Sequence, residues 1–229
     1  MKILPRIRAF FVMIEFVVTV LITIVLMYLF RNRTHGIRKT WANLQTYLIG
    51  FKIITHGDIS PKTTLLVMNH QSLLDIVTLE AIYPKNLCWI AKKEIEDIPL
   101  FGHIIPAPRM ISIDRKDKRS IIKMLKEGKE RVSEGRVLAM FPEGTRGRGD
   151  KLLKFQSGAK ALAEKLDLVV QPALITGARY ILDSQNFMAN GGEVHVHFLD
   201  PIDPKADEQW FEKMYDAMNQ TLQSNLNQA

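Results

Sequence analysis

From about Ile53 onward, apolar runs of strand length alternate with helix-like stretches, and this alternation restricts the fold more than any other feature of the chain. The runs cover 64–68, 87–91, 110–113, 137–141, 168–175 and 193–199, and the helix-like stretches lie near 72–83, 118–134, 157–165 and 206–226. Such an order builds a sheet with helices on its faces. The expectation is an α/β fold over 53–229: a single domain with a central mixed, largely parallel sheet flanked by helices. A chain of 229 residues is long enough for one sizeable core, not two. No internal repeat, low-complexity tract or long linker interrupts it.

Residues 1–52 read differently. Phe10 to Phe30 is apolar except for Glu15 and two threonines. As a helix rising 1.5 Å per residue it would reach roughly 30 Å, about one bilayer core. A secretory signal would end in a small-residue cleavage site, where Arg31-Asn32-Arg33 stands instead. A buried core helix is seldom so uniformly apolar. Lys2, Arg6 and Arg8 precede the run, and Arg31, Arg33, Arg38 and Lys39 follow it, so the positive-inside rule gives no orientation. Basic residues at both ends also suit a helix that dips into one leaflet and returns. Trp41, Leu44, Leu48 and Phe51 then recur at helical spacing, for a helix lying in the membrane interface or against the core. The expectation is an N-terminal membrane-associated helical segment over 1–52.

The formal charge of +7, with a pI near 9.5, points to an anionic partner: nucleic acid, lipid headgroups or a phosphorylated substrate. Few aromatics interleave the basic residues, which disfavours nucleic acid. A single cysteine, Cys88, excludes an intrachain disulfide and reads as core filler within Leu87-Cys88-Trp89-Ile90-Ala91. His195 and His197 share one strand face, but no third ligand at sensible spacing accompanies them, so no metal is expected and a polar sheet face is the reading.

Chemistry concentrates in two segments, each directly after an apolar run. Asn69-His70-Gln71-Ser72-Leu73-Leu74-Asp75 offers a histidine and, five residues on, a carboxylate. Phe141-Pro142-Glu143-Gly144-Thr145-Arg146 offers a carboxylate, a glycine and an arginine in a turn. Strand ends are where α/β proteins keep their sites. Residues five apart do not share a helix face, so His70 and Asp75 meet only if His70 lies in the turn before the helix. Ser72 is a suitable N-cap, and Ser72-Leu73-Leu74-Asp75 also has capping-box spacing, which alone would account for Asp75. The functional alternative is a dyad: Asp75 orients the imidazole, and its other nitrogen takes a proton from an attacking hydroxyl. G-x-S-x-G is absent, so that hydroxyl is expected to belong to the substrate. Asn69 is expected to orient the turn. Phe141 to Gly144 fits a type I turn, which accounts for Pro142 and Gly144 but not for Glu143 followed by Arg146.

These segments resemble those of the glycerolipid acyltransferases, specifically the 1-acyl-glycerol-3-phosphate acyltransferases. That family carries N-H-x-x-x-x-D, an arginine-ending block, F-P-E-G-T-R and a proline in an apolar strand. Asn69 to Asp75, Ile111-Ser112-Ile113-Asp114-Arg115, Phe141 to Arg146 and Val170-Gln171-Pro172-Ala173-Leu174-Ile175 resemble them in that order, over roughly residues 40 to 200. Two departures stand in the second block, where Arg109 replaces the usual glycine and Ser112 an aromatic; in the first block Leu73 replaces a frequent aromatic.

The resemblance implies a membrane enzyme, its site facing the cytoplasm, that acylates lysophosphatidate to phosphatidate. His70 would be the general base and Asp75 its holder. Arg115 would bind the acceptor phosphate; Glu143, Gly144, Thr145 and Arg146 would hold the acceptor, with Glu143 toward glycerol hydroxyls and Arg146 toward phosphate. The donor would be acyl-CoA or acyl-carrier protein, used as substrate, with no cofactor, and membrane lipid would be the other partner. Glycerol 3-phosphate or another lysophospholipid is the alternative acceptor. A lipid hydrolase and a non-catalytic lipid- or nucleic-acid-binding protein are the readings from other classes. The loop marked by Pro99, Gly102 and Pro106 would line an acyl groove or cover the core.

Overall fold

The computed structural model describes residues 3–114, 117 and 119–227. Two helices, α1 (Ile3–Leu29) and α2 (Thr34–Ile49), precede the first strand. The strands are β1 (Phe51–His56), β2 (Leu65–Met68), β3 (Leu87–Lys92), β4 (Ile111–Ile113), β5 (Val137–Met140), β6 (Val170–Thr176) and, after the short pair β7 (Leu182–Asp183) and β8 (Met188–Ala189), β9 (Gly192–Phe198). Helices α3 (Leu74–Ile82), α4 (Lys93–Glu96), α5 (Arg119–Ser133), α6 (Gly158–Lys165), α7 (Ala178–Ile181) and α8 (Trp210–Leu226) lie between and after them.

Seven strands form one sheet in the order β1-β9-β6-β2-β5-β3-β4. All neighbours run parallel except β6 and β9, so the sheet is mixed and largely parallel, as expected. Every residue of β2 and β5 is buried, the mark of strands covered by helices on both faces. Trp210, Met214, Met218 and Leu222 recur four apart and bury one face of α8. Because β6, β2 and β5 are adjacent and parallel, the turns after Met68, Met140 and Thr176 emerge at one edge.

The N-terminus corrects two expectations. The helical spacing of Trp41, Leu44 and Leu48 does not continue to Phe51: Gly50 adopts φ 72, its N–H donates to Thr46 O, and Phe51 opens the edge strand β1. Arg38, grouped with interface cations by sequence, is buried and ion-paired with Glu80 of α3; its guanidinium also reaches Asn86 Oδ1. Helix α1 is two-faced. Ala9, Val12, Phe16, Val20, Ile24 and Met27 are buried, whereas Ile7, Phe11, Ile14, Val18, Ile22, Val25 and Leu29 are exposed. An apolar surface of that extent marks an interaction with membrane or protein. Helix α1 is long and apolar enough to cross a membrane, and the chain is membrane-associated.

Candidate active site

The turn after β2 is held from the neighbouring strand. Asn69 Nδ2 donates to Ile175 O at 2.8 Å, and Ile175 N–H donates to Asn69 Oδ1 at 2.7 Å, so the side chain extends the β2–β6 ladder by one rung. Asn69 therefore orients the turn through β6 rather than through its own backbone. This delivers His70 to the sheet edge just before α3.

Asp75 fulfils the capping and the dyad readings together. Its Oδ2 accepts from His70 Nδ1 at 2.8 Å, Gln71 N–H at 2.6 Å and Ser72 N–H at 2.8 Å. The Ser72 bond is one half of a capping box. The carboxylate is fully buried, while the imidazole side chain retains 17% exposure. With Nδ1 committed to Asp75, Nε2 is the nitrogen left to meet a substrate. Phe141 stacks on the imidazole at 3.9 Å between centroids and 11° between planes, and Trp89 stacks in turn on Phe141. Sequence reading gave Phe141 no role beyond its turn; its place immediately before Pro142, at the end of β5, was the available signal.

Phe141–Gly144 forms the expected turn. Gly144 N–H donates to Phe141 O at 3.1 Å, and Gly144 sits at φ 71, a conformation glycine adopts without Cβ strain. Glu143, expected to point at glycerol hydroxyls, instead braces the protein. Oε1 accepts from His70 N–H at 2.8 Å and Oε2 from Leu153 N–H at 2.9 Å. Burial pushes its carboxyl pKa up, against the lowering effect of those two bonds. Gly147 N–H adds a bond to His70 O at 2.7 Å. The histidine turn and the F-P-E-G-T-R turn are thus clamped together by their backbones.

Thr145 is exposed beyond the turn, and half-buried Arg146 donates to Ser184 Oγ at 2.6 Å. Arg146 thus leans on a segment that sequence reading left unassigned. Arg115 lies outside the described residues. The N–H groups of His70, Gln71, Ser72, Gly144 and Gly147 all donate within the protein.

A cavity of about 150 Å³ lies beneath α1 and α2. Phe16, Val20 and Trp41 line one side; Leu73, Val77 and Trp89 line another; Phe101, Ile104 and Ile105, from the proline-marked loop, close it. Leu73 and Trp89 put its near end beside the His70–Phe141 stack.

In the second block, Arg109 holds φ 56, the left-handed conformation that glycine takes most easily. Its carbonyl accepts from Arg131 Nε at 3.0 Å and Arg136 Nη1 at 3.1 Å, and its guanidinium pairs with Glu130 and Glu134. Cys88 is buried, as expected, and burial raises its thiol pKa. His195 and His197 gain a neighbour that the sequence did not reveal: His56 of β1 stacks on His197 at 4.2 Å and places Nε2 3.1 Å from His195 Nδ1. Among the described residues no three His, Cys, Asp or Glu side chains are grouped to hold a metal.

Residues 52–176 match the protein family described as Acyltransferase. The 1-acyl-sn-glycerol-3-phosphate acyltransferase of Helicobacter pylori is 41% identical over 173 residues, covering 75% of this chain and 73% of that protein. The chloroplastic enzyme of that name from Arabidopsis thaliana is 33% identical over 177 residues, covering 75% of this chain and 49% of its own. The enzyme of that name from Saccharomyces cerevisiae is 30% identical over 179 residues, covering 75% and 59%. The chain thus spans about half the length of the plant relative and more of the bacterial one. The crystal structure of the 1-acyl-sn-glycerophosphate acyltransferase PlsC from Thermotoga maritima superposes with a TM-score of 0.73 at 20% identity, covering 97% of this chain and 95% of that one, a likeness of fold.

Proposed function

The chain belongs to the acyltransferase family of the 1-acyl-sn-glycerol-3-phosphate acyltransferases, and from that membership we propose that it moves a fatty acyl group from a thioester to the free hydroxyl of 1-acyl-glycerol 3-phosphate, giving phosphatidate. The observation that carries this reading is the His70–Asp75 pair, bonded through Nδ1 with Nε2 turned to the site. In the proposed step Nε2 removes the hydroxyl proton as the oxygen attacks the thioester carbon. The C–S bond breaks, and the imidazolium passes its proton to the departing thiolate. Asp75 holds the ring orientation and stabilises the imidazolium. Phe141 fixes the ring plane, and Glu143 and Gly147 fix the backbone on which the ring sits.

The part of the donor's acyl chain next to the thioester is assigned to the apolar cavity between Phe16, Trp41, Trp89 and Phe101, and the acceptor's phosphate to Arg146 and Arg115. Thr145 and Gly144 complete the acceptor side of the turn. The donor is acyl-CoA or acyl-carrier protein.

The membrane contact is assigned to the exposed face of α1. That helix is tied to the rest of the chain near its start, middle and end: Arg8 to Ile49 O, Thr19 Oγ1 to Trp41 Nε1, and Tyr28 OH to His103 Nδ1. Two of these ties run to α2 and the third to the loop after α4, so α1 packs on the protein through one face and offers its exposed apolar face to one leaflet. We place the site on the cytoplasmic side because the proposed acyl-CoA or acyl-carrier-protein donors are cytoplasmic thioesters; there Arg31 and Arg33 would meet anionic headgroups.

The test is acyl transfer by the detergent-solubilised protein from each donor, with lysophosphatidate, glycerol 3-phosphate and water competing. Phosphatidate as main product is expected. Acylated glycerol 3-phosphate would reassign the acceptor, and free fatty acid alone would replace the transferase with a hydrolase.

A further inference from the structure

We propose that Arg179 and Asp183 are a positioning pair that holds the acceptor-phosphate turn in register with His70, an inference that rests on the acyltransferase reading above. Both follow the proline-bearing strand β6 and lie outside the four sequence blocks. Arg179 belongs to α7 and Asp183 to β7, in the hairpin that continues to β8.

This hairpin grips the site at three points. Arg179 Nη1 donates to Gly147 O at 2.8 Å. Ser184 Oγ accepts from Arg146 at 2.6 Å. Leu182 O accepts from Ser72 Oγ at 2.6 Å. Gly147 also donates its N–H to His70 O at 2.7 Å, so one line of bonds runs from Arg179 through the Gly147 peptide groups to the backbone of the base.

Arg179 is itself held. Nη2 lies 3.1 Å from Asp183 Oδ2, with the two side chains only 16% and 10% exposed. Asp183 is fixed by the N–H groups of Gln185 and Asn186, both at 3.0 Å, and by Asn186 Nδ2 at 2.7 Å. A role confined to the hairpin would need only those last bonds. It would not need a guanidinium reaching out of the hairpin to a carbonyl of the F-P-E-G-T-R turn. One planar guanidinium serves Gly147 O, Gln185 Oε1 and the Asp183 carboxylate at once, which a lysine ammonium on a flexible stem does poorly. The cation at the acceptor phosphate, Arg146, is steadied by the same hairpin through Ser184. Removing Arg179 takes away the bond to Gly147 O and leaves the turn its bonds to His70, Leu153 and Ser184.

The experiment measures lysophosphatidate binding at equilibrium to the full chain in detergent micelles, and separately KM and kcat for lysophosphatidate and acyl donor. Wild type, Arg179→Ala, Arg179→Lys and Asp183→Asn are compared. In Arg179→Ala the Kd and KM for lysophosphatidate rise roughly ten- to a hundredfold, the worth of a charge-assisted hydrogen bond. The donor KM stays unchanged, and Arg179→Lys recovers only part of the loss. A Kd for lysophosphatidate equal to wild type, an equal rise for the donor, or no lysophosphatidate binding by the wild type would overturn the proposal. If the wild type binds lysophosphatidate but forms no phosphatidate, the transferase reading fails while the binding comparison still decides the role of the pair. Should Arg179→Ala not fold, Asp183→Asn, which keeps the side-chain shape, is expected to weaken lysophosphatidate binding in the same direction. An unchanged Kd there would count against the pair.

Discussion

Three donors converge on a single oxygen of Asp75, and only one of them is the His70 imidazole. Asp75→Asn must either turn its amide nitrogen toward Gln71 and Ser72 N–H or offer its oxygen in the same place without the charge. Either way the imidazolium loses its counter-charge, and turnover is expected to fall by about two to four orders of magnitude. Phe141→Leu removes only a stacked ring, worth roughly 0.5–1.5 kcal/mol, so its cost in turnover is about two- to tenfold. Parallel kcat measurements on the two variants check this ranking, and equal losses would contradict it. Glu143 separates brace from substrate contact. Glu143→Gln sets an amide NH₂ against a buried N–H donor and is expected to lower stability by about 1–3 kcal/mol. A thermal midpoint equal to wild type, with only the acceptor KM raised, would return Glu143 to the glycerol hydroxyls.

At the scale of elements, the second block makes a prediction of its own. Arg109 occupies a left-handed backbone that costs a non-glycine residue on the order of 1 kcal/mol. Its side-chain ion pair is exposed and contributes little. Arg109→Gly is therefore expected to leave stability unchanged or raise it by up to about 1 kcal/mol, whereas β-branched Arg109→Val lowers it. Thermal midpoints of the three proteins check the order, and Val above Gly would contradict it. The alternation of strands and helices was legible because β2 and β5 are uninterrupted apolar runs of strand length between turns. The site was legible where one short segment holds its parts, as with His70 and Asp75. Strand β1 was not, because Phe51 extends the helical spacing of α2, and only Gly50 marks the break. The Arg38–Glu80 pair and the His56–His195–His197 group were hidden because their members come from elements far apart in sequence.

At the scale of the whole molecule, His197 adds a pH-dependent contribution to stability. His197 lies on β9, with His56 of β1 stacked on it and His195 beside it. Burial, then the neighbouring histidines, holds its pKa below the ordinary histidine value of 6.5. Between that lowered value and 6.5 the unfolded chain binds more protons than the folded one. Stability present above 6.5 is therefore lost as pH falls through that window. Thermal midpoints are expected to drop on acidification through this range, and less so in His197→Asn; an identical slope in the two proteins would contradict this. The membrane face is tested at the same scale. Ile14→Glu with Val18→Glu puts charge into the exposed stripe of α1, and pelleting with phospholipid vesicles is expected to fall sharply. Undiminished pelleting would move the membrane contact elsewhere. The role of His70 as the base for acyl transfer to a substrate hydroxyl is tested by the rate of phosphatidate formation by His70→Ala beside the wild type at saturating lysophosphatidate and donor. A loss of about two to four orders of magnitude with the fold intact is expected; near-normal turnover by the folded variant would remove His70 from that role.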